Sequence, residues 1–201
     1  MRIFSKYTWR FSTDKKEIFL TFDDGPTPEI TQFVLSELKK YNAKATFFCI
    51  GKNIQNHPEI FNTIIIDGHT IGNHTQNHLK GWKTDNSRYL DDFLACEKTI
   101  TQFNKSTITQ KIFRPPYGKI KKKQAKEIFK KGYKIIMWNV LSADFDTTIS
   151  KEKCLENVLK NTEKGSIIVF HDSIKAAERM QYALPKVLKH FSEKGFVFRA
   201  I

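Results

Sequence analysis

The chain has 201 residues, 40% hydrophobic and 27% charged, which suits one globular domain with a full hydrophobic core and leaves no composition bias towards disorder. Lys+Arg number 34 against 21 Asp+Glu, so the formal net charge of +13 favours polyanions (nucleic acid, anionic membrane or acidic wall polymer) without choosing among them. No stretch approaches the roughly 20 apolar residues of a membrane span, and Cys49, Cys96 and Cys154 lie far apart with no CxxC pair, which excludes a disulfide scaffold and suits reduced thiols.

The N-terminal MRIFSKYTWRFSTDKKEIF holds no apolar run long enough for a signal peptide, so the chain as written reads as soluble and cytoplasmic, with action at the cell envelope requiring another export route. Residues 1–15 read as an N-terminal extension and residues 16–201 as one domain. Residues 17–22 (EIFLTF) form a strand that stops at the turn signal Asp23-Asp24-Gly25-Pro26. Ile30, Phe33, Val34, Leu35 and Leu38 then carry helical spacing over residues 27–40. A strand at 44–50, a helix at 58–66 and a short strand at 69–72 follow. The pattern continues with a helix at 86–103, a strand at 111–113, a helix at 122–131 and a strand at 133–139. Helices at 151–161 and 176–193 and strands at 166–170 and 196–199 complete it.

Strands alternating with helices predict parallel strands joined by crossover helices, in an open sheet or a barrel. The polar clusters favour the barrel. Asp23-Asp24, His74/His78, Arg114–Tyr117, Asp144 and His171-Asp172 each fall just after an expected strand, and strand C-terminal ends lining one rim are where a β/α barrel builds its site. An open sheet would gather them at one switch point.

His74 and His78 are four residues apart, and a helical turn would bring both to one side, a spacing suited to chelating one metal ion; by themselves they are equally a surface pair. Adjacent carboxylates at a strand end point in different directions, so one of Asp23 and Asp24 can bind a metal while the other stays free as a base; alone, an Asp-Asp-Gly is a turn cap. Arg114-Pro115-Pro116-Tyr117 alone is a stiff turn, His171-Asp172 a strand end with a helix cap, and Asp144 a turn residue.

Taken together, Thr21–Gly25 (TFDDG), His74–His78 (HTQNH), Arg114–Tyr117 (RPPY), the segment from Trp138 to Asp144 and the apolar run into His171-Asp172 resemble, in order, the five motifs of the polysaccharide deacetylases, the NodB-homology group or carbohydrate esterase family 4. The resemblance spans residues 16–201 and implies a distorted (β/α)7 barrel of a single catalytic domain, with a divalent metal, most often Zn2+, for which Co2+ or another divalent ion can substitute. By that resemblance Asp24, His74 and His78 are metal ligands and Asp23 the general base, held by Arg114. His171 is the general acid, oriented and charged by Asp144. The Tyr117 backbone N–H is an oxyanion donor, and Tyr117, Pro116, Trp138 and Phe170 shape the substrate groove.

Three positions depart from the family pattern. Leu141 stands where an acid is common, Phe145 replaces a tryptophan, and Phe170 replaces a frequent leucine that would line the acetyl pocket, so its ring either narrows that pocket or turns away. The resemblance implies N-deacetylation of GlcNAc or MurNAc in peptidoglycan or a chitin-like glycan; the sequence does not fix the oligomeric state, for which a monomer is the favoured expectation. The alternatives are an amidohydrolase on a soluble small N-acetyl compound and a non-catalytic glycan-binding module. A nucleic-acid partner is not expected, because +13 comes without a recognisable binding motif.

Overall fold

The computed structural model describes residues 6–104 and 110–201; the first five residues of the expected N-terminal extension lie outside these. β1 (Glu17–Asp23) is the central strand. It pairs with β2 (Ala45–Cys49) on one side and β7 (Ile167–His171) on the other. From β2 the sheet continues to β3 (Thr70–Asn73), β4 (Ile112–Phe113) and β5 (Lys134–Ile135), and from β7 to β6 (Val140–Leu141). β8 (Val197–Phe198) joins the start of β1. All these pairings are parallel, and the order β5-β4-β3-β2-β1-β7-β6 leaves β5 and β6 as the two ends.

The gap between those ends is crossed by chain rather than by a ladder. Ile136 N–H donates to Phe113 C=O, Met137 N–H to Thr8 C=O and Asn139 N–H to Ile167 C=O, so residues 136–139 step from β4 across to β7. Residues 8–11 run beneath, with Thr8 N–H on Ile135 C=O and Phe11 N–H on Gly165 C=O. The result is a curled, distorted barrel. The strand expected over 133–139 is therefore only Lys134–Ile135, and β6, not expected from the pattern, begins once the crossing is made.

Helices α1 (Ile30–Lys40), α2 (Gly51–Asn56), α3 (Pro58–Ile66), α4 (Asn86–Phe103), α5 (Lys122–Lys130), α6 (Lys151–Asn161) and α7 (Ala177–Glu193) surround the sheet. α1 starts at its first apolar residue, Ile30, rather than at residue 27, because Glu29 has φ 65, outside the helical region. Pro58 at the first turn of α3 and the Ser150 hydroxyl, which accepts from Lys153 N–H at 3.1 Å, open their helices as such residues should. None of the helices among the described residues is long and apolar enough to cross a membrane. All three cysteines are buried and unpaired, as the spacing implied.

Strand alternation divides the core in two. Ile18, Leu20 and Phe22 of β1, with Ala45, Phe47, Ile168 and Phe170, face outward and pack under α1 and α7 through Val34, Leu38, Leu184 and Val187. Thr21 and Asp23 face inward, where Phe48, Ile112, Ile136 and Ile167 fill the barrel. Phe22 lies between Phe47 (ring centroids 5.1 Å apart) and Phe170 (6.1 Å), fully buried. We expect Phe22→Ala to cost about 3–5 kcal/mol in urea unfolding; a loss below about 1 kcal/mol would mean that this outer layer is not the main core.

Candidate active site

Asp23 and His171 are paired across β1 and β7, placing both at the same level of the barrel rim. His74 follows β3, Arg114 follows β4 and Asp144 follows β6, so the expected residues do meet there. Asp23, Asp24, His74, His78 and His171 line a cavity of about 660 Å3 together with Tyr117, Trp138, Leu141 and Phe145, while Arg114 and Asp144 are fully buried behind Asp23 and His171, to which they bond.

Asp24, His74 and His78 each present a ligand atom within 4.8 Å of the others. Asp24 Oδ1 is buried without a hydrogen-bond partner, 3.2 Å from His78 Nε2 and 3.7 Å from His74 Nε2. His74 Nδ1–H donates to Arg114 C=O at 2.8 Å, which leaves the Nε2 lone pair facing the site. Burial lowers the pKa of His74, and burial with the neighbouring His74 pushes His78 down to about 4, so both imidazoles are neutral as ligation requires. An orphaned carboxylate oxygen between two neutral imidazoles fits a divalent cation.

The His74–His78 segment is not the helical turn that its spacing suggested. Thr75 (φ 67) and His78 (φ 54) adopt left-handed conformations, and the rings meet at 5.1 Å by loop reversal. Three anchors hold the loop: Asn73 Oδ1 accepts from Thr75 N–H, and Asp92 accepts from Asn77 N–H and from its side-chain amide. On the other side, Asp172 accepts from Gly25 N–H at 3.0 Å and from the Thr31 hydroxyl, bracing the Asp23-Asp24 turn. A Cβ on Gly25 would lie 1.9 Å from that carboxylate, so the close approach demands glycine.

Arg114 is fully buried and makes four bonds: Nε to Ile136 C=O, NH1 to Thr21 Oγ1 and Asp23 Oδ1 (both 2.7 Å), and NH2 to Met137 C=O. Its guanidinium lies 4.2 Å from the Phe48 ring centroid and 5.4 Å from that of Trp138. Burial alone would raise the Asp23 pKa, but Arg114, His74 and His171 outweigh it and hold the carboxyl below its usual value.

His171 is the electrostatic opposite. Asp144, itself fully buried, accepts from His171 N–H through Oδ2 (2.7 Å) and from Nδ1 through Oδ1 (2.8 Å). Burial opposes the imidazolium, yet the Asp144 charge and hydrogen bond raise its pKa from 6.5 to about 9. Phe145 stacks edge-on against the ring at 5.1 Å, so the aromatic at that departure still shapes the wall.

Tyr117 is half exposed, has φ 60 and sits 4.6 Å from the His78 ring, with Pro116 buried behind it. The following Gly118 has φ 65, and a Cβ there would meet the Trp138 ring at 2.6 Å. Phe170 is placed elsewhere: it is fully buried in the outer core against Phe22 and does not line the cavity. Alternation along β7 requires this, since the residue before an inward-facing His171 faces outward. Residues that the motifs did not single out also serve the site. Arg179 of α7 donates Nε–H to Asp144 C=O at 2.7 Å, and Trp82, Lys80, Lys119, Ser173 and Lys175 line the cavity.

Two imidazoles and a carboxylate converging at the C-terminal rim of a parallel barrel, with an ionised carboxylate and a charged imidazole beside them, define a hydrolase of the metal-site class. Residues 11–136 match the polysaccharide deacetylase family model, and the chain belongs to that family. It is 33% identical to a peptidoglycan-N-acetylglucosamine deacetylase of Bacillus cereus over 95% of this chain and 89% of that protein. It is 31% identical to a chitooligosaccharide deacetylase of Azorhizobium caulinodans over 81% of this chain and 77% of that protein. The fold superposes with a TM-score of 0.90 on a solved peptidoglycan N-acetylglucosamine deacetylase bound to an N-hydroxybenzamide, at 32% identity over 98% of this chain and 91% of that one.

The raised pKa of His171 gives a signed expectation. Its pairing with Asp144 adds stability that is fully present below pH 6.5 and is lost as the pH rises through about 9. An NMR titration should place the His171 imidazole well above 6.5 and Asp144→Asn should bring it down; an unmoved titration would mean that Asp144 does not charge it.

Proposed function

We propose that the protein is a divalent-metal-dependent N-deacetylase of amino-sugar glycans. GlcNAc or MurNAc residues of peptidoglycan are its first substrates and chitin-like oligosaccharide its second, and residues 16–201 act as a monomeric catalytic domain. The observation that carries this reading is the convergence of Asp24, His74 and His78 in one cavity with Asp23 and His171. Named relatives support it: the Bacillus cereus protein is a peptidoglycan-N-acetylglucosamine deacetylase.

An amide is a poor electrophile with a poor leaving group, so attack, oxyanion and departure each need help. Asp24, His74 and His78 would hold the ion, Zn2+ in the first place with Co2+ as a substitute, which when bound polarises the carbonyl and acidifies water. Asp23, kept ionised by Arg114, takes the proton of the attacking water. The Tyr117 backbone N–H, at the turn held by Pro116, donates to the developing oxyanion. His171, loaded through Asp144, protonates the departing sugar nitrogen, which would otherwise leave as an anion. Trp138 and Tyr117 supply walls against which a sugar ring lies.

Acetate and free amine should be released from peptidoglycan and N-acetylglucosamine oligomers, abolished by chelator and restored by Zn2+ or Co2+. Asp23→Ala and His171→Ala should each lower kcat by about 100-fold or more. A loss below about ten-fold in either variant would remove its assigned role. Acetate from small N-acetyl compounds alone would move the substrate from glycan to metabolite.

A further inference from the structure

The catalytic motifs account for the centre of the cavity but not for its cations. Lys80, Lys119 and Lys175 all line it, and all three are exposed. The carboxylates of the lining are Asp23 and Asp24, the first neutralised by Arg114 and the second facing the two imidazoles. Among the described residues no carboxylate lies within ion-pairing distance of the three lysines, whereas lysines elsewhere, such as Lys130 and Lys160, do pair along their helices. The groove therefore carries a positive charge that no close ion pair offsets, Lys175 alone of the three acting on a carboxylate at longer range, that of Asp146, and the concave wall focuses its field.

Two of the three are held in place. Lys80 Nζ lies 5.5 Å from the Tyr117 ring centroid and Lys119 Nζ lies 5.4 Å from that of Trp82. Trp82 and Tyr117 pack edge to face at 5.4 Å, and Tyr117 rests on the His78 ring. This wall runs outward from the candidate metal site, and its cation–π contacts restrict side chains that would otherwise lose more freedom on binding. Lys175 stands on the other side. It follows β7 beyond His171 and Ser173, whereas Lys80 follows β3 and Lys119 follows β4, with β1 and its carboxylates between them in the sheet order.

We infer that Lys80, Lys119 and Lys175 form an anion-reading rim that selects a glycan bearing carboxylates on the sugars flanking the reacting N-acetyl sugar. A neutral residue with an acidic neighbour on each side is the repeat of a peptide-free chain in which N-acetylglucosamine alternates with N-acetylmuramic acid, whose lactyl carboxylates are then free. An uncharged chitin-like chain offers the rim nothing. The inference rests on the cavity being the glycan site and adds what distinguishes one glycan from another there.

The test is a titration of the full chain followed by quenching of tryptophan fluorescence, since Trp82 and Trp138 both line the groove. The ligands are a tetrasaccharide of alternating N-acetylglucosamine and N-acetylmuramic acid and the N-acetylglucosamine tetramer. At low salt the acidic chain should bind at least about ten-fold more tightly, and high salt should shrink that ratio. Replacing all three lysines with alanine should bring the ratio to within about two-fold, while the triple lysine-to-arginine variant should keep it. Equal affinities, no measurable binding of either ligand, or a preference that survives the alanine variant would overturn the inference. The two readings fail separately: preference without acetate release from either ligand refutes the deacetylase reading alone, and acetate release without preference refutes the rim alone.

Discussion

The site depends on a guanidinium buried at the centre of a barrel. Taking Arg114 and Asp23 out of water is costly, and their attraction offsets that cost only where the remaining donors are satisfied. Here four of the five N–H donors are, by two backbone carbonyls, the Thr21 hydroxyl and the carboxylate, with Phe48 and Trp138 near the charge. The same residue reaches the other half of the site through its backbone, because its carbonyl fixes the His74 tautomer. Removing the side chain would leave a buried carboxylate unpaired, a defect of about 3–5 kcal/mol. The pair therefore spans β1, the end of β4 and the segment that crosses the barrel gap, joining fold to chemistry.

Around that pair the protein sets neighbouring groups in opposite protonation states. Asp23 is held below its usual range, His74 and His78 are held neutral, and His171 is held charged. Burial is outweighed by Arg114 at Asp23 and by Asp144 at His171, whereas at His78 burial and the neighbouring His74 act together. Groups of similar intrinsic acidity thus take different tasks within one cavity. Arg179 extends the arrangement to α7 by holding the Asp144 carbonyl, so the Asp144–His171 side of the site is anchored to a helix as the Arg114–Asp23 side is anchored in the barrel core.

Much of the architecture was legible in the sequence because β1, β3, β4 and β7 each end at a polar cluster and most helices carry their own signals. Pro58 opens α3, Ser150 caps α6, and the bounds of both match the apolar spacing. What was not legible depends on partners distant in sequence. β6 and the crossing at residues 136–139 exist only because Thr8, Phe113 and Ile167 receive them, and α2 has Ile54 as its sole buried large apolar residue. The histidine pair is delivered by a loop braced on Asp92 rather than by helical periodicity. Phe170 could have been read correctly, since strand alternation places it opposite His171. Lys80, Trp82, Lys119 and Lys175 gave no local signal, because scattered basic and aromatic residues become a wall only when three loops meet.

The central claim is that one cation is held by Asp24, His74 and His78 while Asp23 stays free of it. Anomalous diffraction from crystals grown with Zn2+ tests this directly. The account predicts one strong peak at about 2.0–2.2 Å from both Nε2 atoms and an Asp24 oxygen, with the Asp23 carboxylate still on Arg114. A peak ligated by Asp23 in place of Asp24, or no peak among these three side chains at saturating ion, would contradict it.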